Sequence, residues 1–127
     1  MTACHRPTGP SVRVLLVEDD RVTCALLTEQ LRRNGHLVLA VESAESALAL
    51  IETLGFPDVA IVDVGLPGRD GVALLELLRE RRRTHALGAV VISAGPPPGD
   101  LTPEDVFVSK PVNIGHLLSA VDGGAAA

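Results

Sequence analysis

The sequence predicts an α/β domain: a doubly wound, five-stranded parallel sheet in the order 2-1-3-4-5. Three observations predict it. Short, near-continuous apolar runs recur along the chain, amphipathic stretches alternate with them, and capping or turn residues stand at the joins. Strands that are apolar on both faces need cover on both faces, and right-handed crossover helices supply it.

The elements follow in order. VRVLLV (12–17) is β-branched and apolar, the pattern of a buried strand. Asp20 is suited to cap RVTCALLTEQLRRNG, whose Cys24, Leu27 and Leu31 share a helical face and whose Gly35 provides the stop. LVLAV (37–41) is the second strand. Ser43 then caps a helix with Glu42 and Glu45 near its start and an Ala44, Ala47, Leu48, Ile51 stripe, ending at Leu54-Gly55. DVAIV (58–62) is the third strand, Leu74, Leu75 and Leu78 line a third helix over 70–83, GAVVIS (88–93) is the fourth strand and VFVS (106–109) the fifth. Residues 1–11, with Pro7, Gly9 and Pro10, are expected to form a flexible leader, 12–121 the domain, and 122–127 a flexible tail.

Composition narrows the function. With 127 residues, 46% of them hydrophobic, the chain is sized for one domain with a real core. It has no apolar run long enough to span a bilayer and no apolar signal core in MTACHRPTGP, so a cytoplasmic, membrane-free location is expected. A net charge of -5 with no Trp or Tyr leaves neither a basic face nor a stacking platform for direct nucleic-acid binding. Cys4 and Cys24 form no metal-ligand spacing or disulfide framework, and Cys24 reads as a buried thiol. Lys110 is the single lysine among eleven basic residues.

In sheets of this kind, ligands collect beyond the carboxyl ends of the strands. The residues there are Glu18-Asp19-Asp20, Asp63, Ser93 and Lys110-Pro111. The strand order makes the first and third strands neighbours, so three carboxylates converge. Like charges so close resist joint ionisation unless a cation lies among them. Oxygen ligands without His or Cys favour Mg²⁺ over zinc. An Asp so placed can act as a nucleophile toward a phosphoryl group, with Ser93 and Lys110 able to bind phosphoryl oxygens. A rim of solvated helix-capping acids would account for any one of these residues, but not for five positions together.

The ordered set LLVEDD, VDVGLPGRDG, VISA and FVSKP resembles the receiver domain of bacterial two-component response regulators, a group with a flavodoxin-like fold that includes the chemotaxis regulator. The resemblance implies that Asp63 is the phosphoacceptor, that Glu18, Asp19, Asp63 and the Gly65 carbonyl hold Mg²⁺, and that Asp20 is a helix cap. It further implies that Leu66-Pro67 shapes the turn and Gly71 opens the next helix. Ser93 matches the hydroxyl that follows the phosphoryl group, Phe107 the switching aromatic, and Lys110 the lysine whose bond to Pro111 is usually cis. The implied partners are a histidine kinase or phosphotransfer protein and a downstream target the sequence does not identify. The implied role is a signalling acceptor rather than an enzyme, catalysing only its own phosphorylation and dephosphorylation.

One region departs from that pattern. Between Ser93 and Phe107 lie AGPPPGDLTPEDV, too short and too proline-rich for a helix with its two loops, so the fourth helix is expected to be missing or vestigial. Thr102 and Pro103 leave room for at most one turn. Loss of that helix should uncover apolar surface around Val91 and Val106 and invite a partner or a homodimer. RERRR (79–83) reads as a solvated helix end whose cations complement the dipole, and the four His residues receive no role. Two other functions compete. A degenerate receiver acting as a non-phosphorylated interaction module is opposed by intact Glu18, Asp19, Asp63, Ser93 and Lys110. A metal-dependent phosphatase would need a second acid two residues after Asp63, where Gly65 stands.

Overall fold

The computed structural model describes residues 12–65, 70–99 and 101–126. The elements are β1 (Arg13–Val17), α1 (Arg21–Arg33), β2 (Leu37–Val41), α2 (Ala44–Leu54), β3 (Val59–Asp63), α3 (Asp70–Arg82), β4 (Gly88–Ser93), β5 (Asp105–Ser109) and α4 (Ile114–Ala126). All five strands are parallel and lie in the order β2-β1-β3-β4-β5, as the alternation predicts. The three inner strands carry side chains into two cores because successive residues face opposite sides of a pleated sheet. Val14, Leu16, Val59, Ile61, Val90 and Ile92 meet Leu27, Leu31, Leu117 and Val121 of α1 and α4. Leu15, Val17, Ala60, Val62 and Val91 meet Ala47, Ile51, Leu74 and Leu78 of α2 and α3.

Local chemistry sets the helix ends. The Asp20 carboxylate accepts from Thr23 N–H and opens α1, and Ser43 Oγ accepts from Ser46 N–H and opens α2. Gly35 and Gly55, at φ 86° and 89°, turn the chain after those helices in a region that only glycine enters freely. Cys24 is only partly buried, packed against the α1/α4 core.

Several expectations shift. β1 opens at Arg13 rather than Val12, because Val12 N–H turns instead to His36 Nδ1. β3 runs one residue later, so that Asp63 is its last paired residue, opposite Ile92. α4, unassigned from the sequence, opens where Asn113 Oδ1 accepts from His116 N–H, and its backbone continues through 122–126, where the composition suggests a tail. The leader 1–11 and the Leu66-Pro67 turn lie outside the described residues, whereas Gly71 is the second residue of α3.

Among the described residues no helix separates β4 from β5. The segment closes instead with a turn in which Asp105 N–H meets Thr102 C=O at 3.0 Å. The uncovered patch expected there does not form at Val91. That side chain is fully buried, with Leu101 and Phe107 packed against the same core, and Val106 is half-buried on the opposite face. The arginine run is only in part a solvated helix end: Arg83 and Glu80 are exposed, but two of its arginines turn inward. Arg79 and Arg82 reach over the short segment and hold the Asp105 carboxylate at 2.8 and 2.7 Å, and Arg82 also donates to Thr102 Oγ1.

Candidate functional site

Strand register and side-chain alternation assemble the site. Val17 pairs with Val62, so one step further along both strands Glu18 stands beside Asp63, and both project to the α1/α4 side of the sheet. Lys110, just beyond β5, shares that side. Its ammonium reaches across β4 to Glu18 Oε1 at 2.8 Å and Asp63 Oδ2 at 2.9 Å. Asp19 completes the group: Glu18, Asp19 and Asp63 each offer a carboxylate oxygen within 4.8 Å of the others. Glu18 and Asp63 are buried and Asp19 is exposed, so the group has a dry floor and an open mouth.

Backbone donors orient the acids. Asp20 N–H donates to Glu18 Oε2 at 3.0 Å and Gly65 N–H to Asp63 Oδ1 at 2.8 Å. A side chain at position 65 would place its Cβ 3.2 Å from that Oδ1, crowding the carboxylate. The Lys110–Pro111 bond is cis, as the sequence resemblance implies.

Electrostatics separate the two buried acids. Burial lifts Glu18 above the ordinary carboxylate range, and the nearby Asp63 adds to the rise against the pull of Lys110 and Asp20 N–H. Burial pushes Asp63 upward too, but hydrogen bonds from Lys110 and Gly65 outweigh it, and Asp63 ends below its usual value. Desolvation lowers Lys110, yet its two carboxylate partners leave it raised on balance. The hydrogen bonds thus favour the charged form of Asp63, whereas burial disfavours that of Glu18. Three carboxylates against one ammonium leave two negative charges in excess, and the donors are all hard oxygens. That donor set fits a divalent cation of the Mg²⁺ type.

Ser93 and Phe107 stand apart from this knot. Ser93 is buried at the end of β4 on the opposite strand parity; its Oγ accepts from Gly95 N–H at 3.0 Å, and its C=O accepts from Lys110 N–H at 2.8 Å. Phe107 lies on β5, half-buried against the α2/α3 core. Sequence reasoning missed the clasp of Arg79 and Arg82 on Asp105. The signal available was a run of arginines one helix away from the acid-containing segment PEDV.

Comparison with known proteins gives a consistent picture. The response regulator receiver domain family matches residues 14–100. The transcriptional regulatory protein TcrA of Mycobacterium tuberculosis is 34% identical over 123 residues, covering 92% of this chain and 46% of that protein. The virulence transcriptional regulatory protein PhoP of Salmonella typhimurium is 37% identical over 114 residues, 85% of this chain and 49% of that protein. The chain thus spans about half the length of these relatives. The crystal structure of a putative response regulator from Chloroflexus aurantiacus superposes with a TM-score of 0.75 at 28% identity, covering 93% of this chain and 100% of that one.

Proposed function

This chain belongs to the response regulator receiver domain family, and from that we propose that it is a phosphoacceptor module in which Asp63 receives a phosphoryl group from a phosphohistidine on a histidine kinase or phosphotransfer protein. The observation that carries the reading is the Asp63 carboxylate, held toward its charged form by its hydrogen bonds and gripped by Lys110 at the floor of an acidic pocket. An Asp63 oxygen attacks phosphorus, the phosphorus–oxygen bond forms and the phosphorus–nitrogen bond breaks. The imidazole nitrogen leaves with the electron pair and is protonated from solvent.

Glu18, Asp19, Asp63 and the Gly65 carbonyl would hold Mg²⁺, whose charge would offset repulsion between the entering phosphoryl oxygens and the carboxylates. Lys110 Nζ, already at Asp63, then pairs with a phosphoryl oxygen, and Ser93 Oγ exchanges its Gly95 partner for another. The space Ser93 vacates admits Phe107, which makes these two the switch pair. Moving such an equilibrium from 1:99 to 99:1 needs about 5.5 kcal/mol, a scale that charge-assisted bonds to a phosphoryl group can reach. Among the described residues no helix is long and apolar enough to cross a membrane.

Incubation of the folded protein with Mg²⁺ and acetyl phosphate, read by intact mass, tests the reading. An adduct of about 80 Da that disappears in Asp63→Ala supports it. A folded chain that never gains the adduct fits instead a non-phosphorylated interaction module, a reading favoured by the arginine clasp that holds Thr102 and Asp105.

A further inference from the structure

We propose that the free edge of β2 is a self-association surface, on which a second copy of this chain docks by antiparallel β2–β2 pairing to make one sheet continuous across both copies. Among the described residues β2 pairs only with β1, so its other side is an edge. Leu37 N–H reaches Val12 C=O, and Val41 C=O accepts from Glu18 N–H, which turns the odd residues toward β1. Alternation then points the backbone groups of Val38 and Ala40 outward. Arg32 donates to Val38 C=O at 3.1 Å, leaving that oxygen a second lone pair. Between residues 37 and 41 there is no proline and no charge, the devices that commonly blunt an edge.

The side chains beside that edge are apolar and uncovered. Leu37 is 68% exposed and Leu39 47%, and with Leu50 and Leu54 they line an apolar cavity of about 430 Å³. Charge selects the occupant. Arg13 and Arg32 are among the residues lining the cavity at the start of β2, and no acid is. The nearest acids, Asp58 and Asp122, are engaged by Arg13 N–H and by His36, whereas exposed Glu42 and Glu45 lie just past the end of β2. A symmetric interface must complement itself. Antiparallel pairing brings the acidic end of one copy against the basic start of the other, twice. Parallel pairing would set like against like. A two-fold axis through Leu39 pairs Leu37 with Val41 of the second copy and Val38 with Ala40 of the second copy, matching apolar to apolar and outward backbone to outward backbone. Residues 1–11 contain no acid and carry His5 and Arg6, so the chain's own leader does not complement these arginines.

Sedimentation equilibrium over a concentration series tests this, with circular dichroism to confirm folding. The unaltered chain should show a monomer–dimer equilibrium. Leu39→Lys, at an exposed position, puts like charges on the axis and should raise the dissociation constant at least about tenfold. Glu42→Arg and Arg32→Glu should each weaken the dimer, and the double variant should recover it. A chain that stays monomeric to millimolar concentration, or a dimer unmoved by Leu39→Lys, overturns the proposal. Failure of the double variant to recover overturns the antiparallel register on which it stands.

Discussion

Lys110 and Glu18 show how single side chains set the chemistry of the pocket. The ammonium sits where a metal cation would find its charge partners, 2.8 Å from Glu18 and 2.9 Å from Asp63. Lys110→Met should therefore bind Mg²⁺ more tightly by calorimetry while taking up phosphoryl groups more slowly by mass; weaker Mg²⁺ binding would show that the lysine organises the acids instead of competing for them. Glu18 carries the opposite stress. Because its folded pKa is raised above its ordinary 4.5, its contribution to stability is present below that value and is lost as pH rises through the folded pKa. Without divalent cation, Glu18→Gln should match the parent in acid and exceed it in denaturant midpoint at neutral pH. Equal midpoints at pH 7 would remove Glu18 as a source of strain. Residue identity at this scale was readable from sequence alone, because Glu18, Asp19, Asp63 and Lys110 all follow strands. The separation of their charges was not, because it depends on burial and on distances between strands.

At the scale of elements, the β4–β5 connection is the informative one. Three consecutive prolines rule out a helix there, and the structure puts an ion cluster in its place: Asp105, with no exposed side-chain surface, between Arg79 and Arg82, whose side chains are 19% and 13% exposed. Burial pushes the Asp105 carboxyl up, but Thr102 N–H and the two guanidinia hold it below its ordinary 3.8 on balance. Its stabilisation is thus present above pH 3.8 and lost as pH falls through the depressed value. Asp105→Asn should cost about 2–3 kcal/mol in urea unfolding at pH 7, less than for a fully buried pair because the arginines keep partial contact with water. The loss should vanish in strong acid, and a neutral result at pH 7 would reduce the clasp to a surface pair. Ser43→Ala, which removes the α2 cap, should cost about 1 kcal/mol by the same measurement.

The whole molecule divides into a rigid centre and an open margin. β1, β3 and β4 are paired on both sides and buried on both faces, whereas β2 is an edge with Leu37 and Leu39 in water. Amide exchange at low protein concentration should follow this: Ile61 and Val90 exchange only through global unfolding, while Val38 and Ala40 exchange orders of magnitude faster. Uniform protection across the sheet would contradict the topology. The acidic pocket lies at the carboxyl end of the protected strands, so its floor is among the least deformable parts of the protein. The mouth at Asp19 remains open to solvent.

The order of elements, the helix caps at Asp20 and Ser43, the missing helix after Ser93 and the acids at the strand ends were all legible in the sequence, because each arises from local periodicity, turn chemistry or chain length. Only the tertiary structure decided the charge balance between Glu18 and Asp63, the burial of Val91, the capture of Asp105 by Arg79 and Arg82, and the exposure of Leu37 and Leu39 beside the β2 edge. Each of these depends on which distant residues a parallel sheet brings side by side, and on how far water is excluded once they meet.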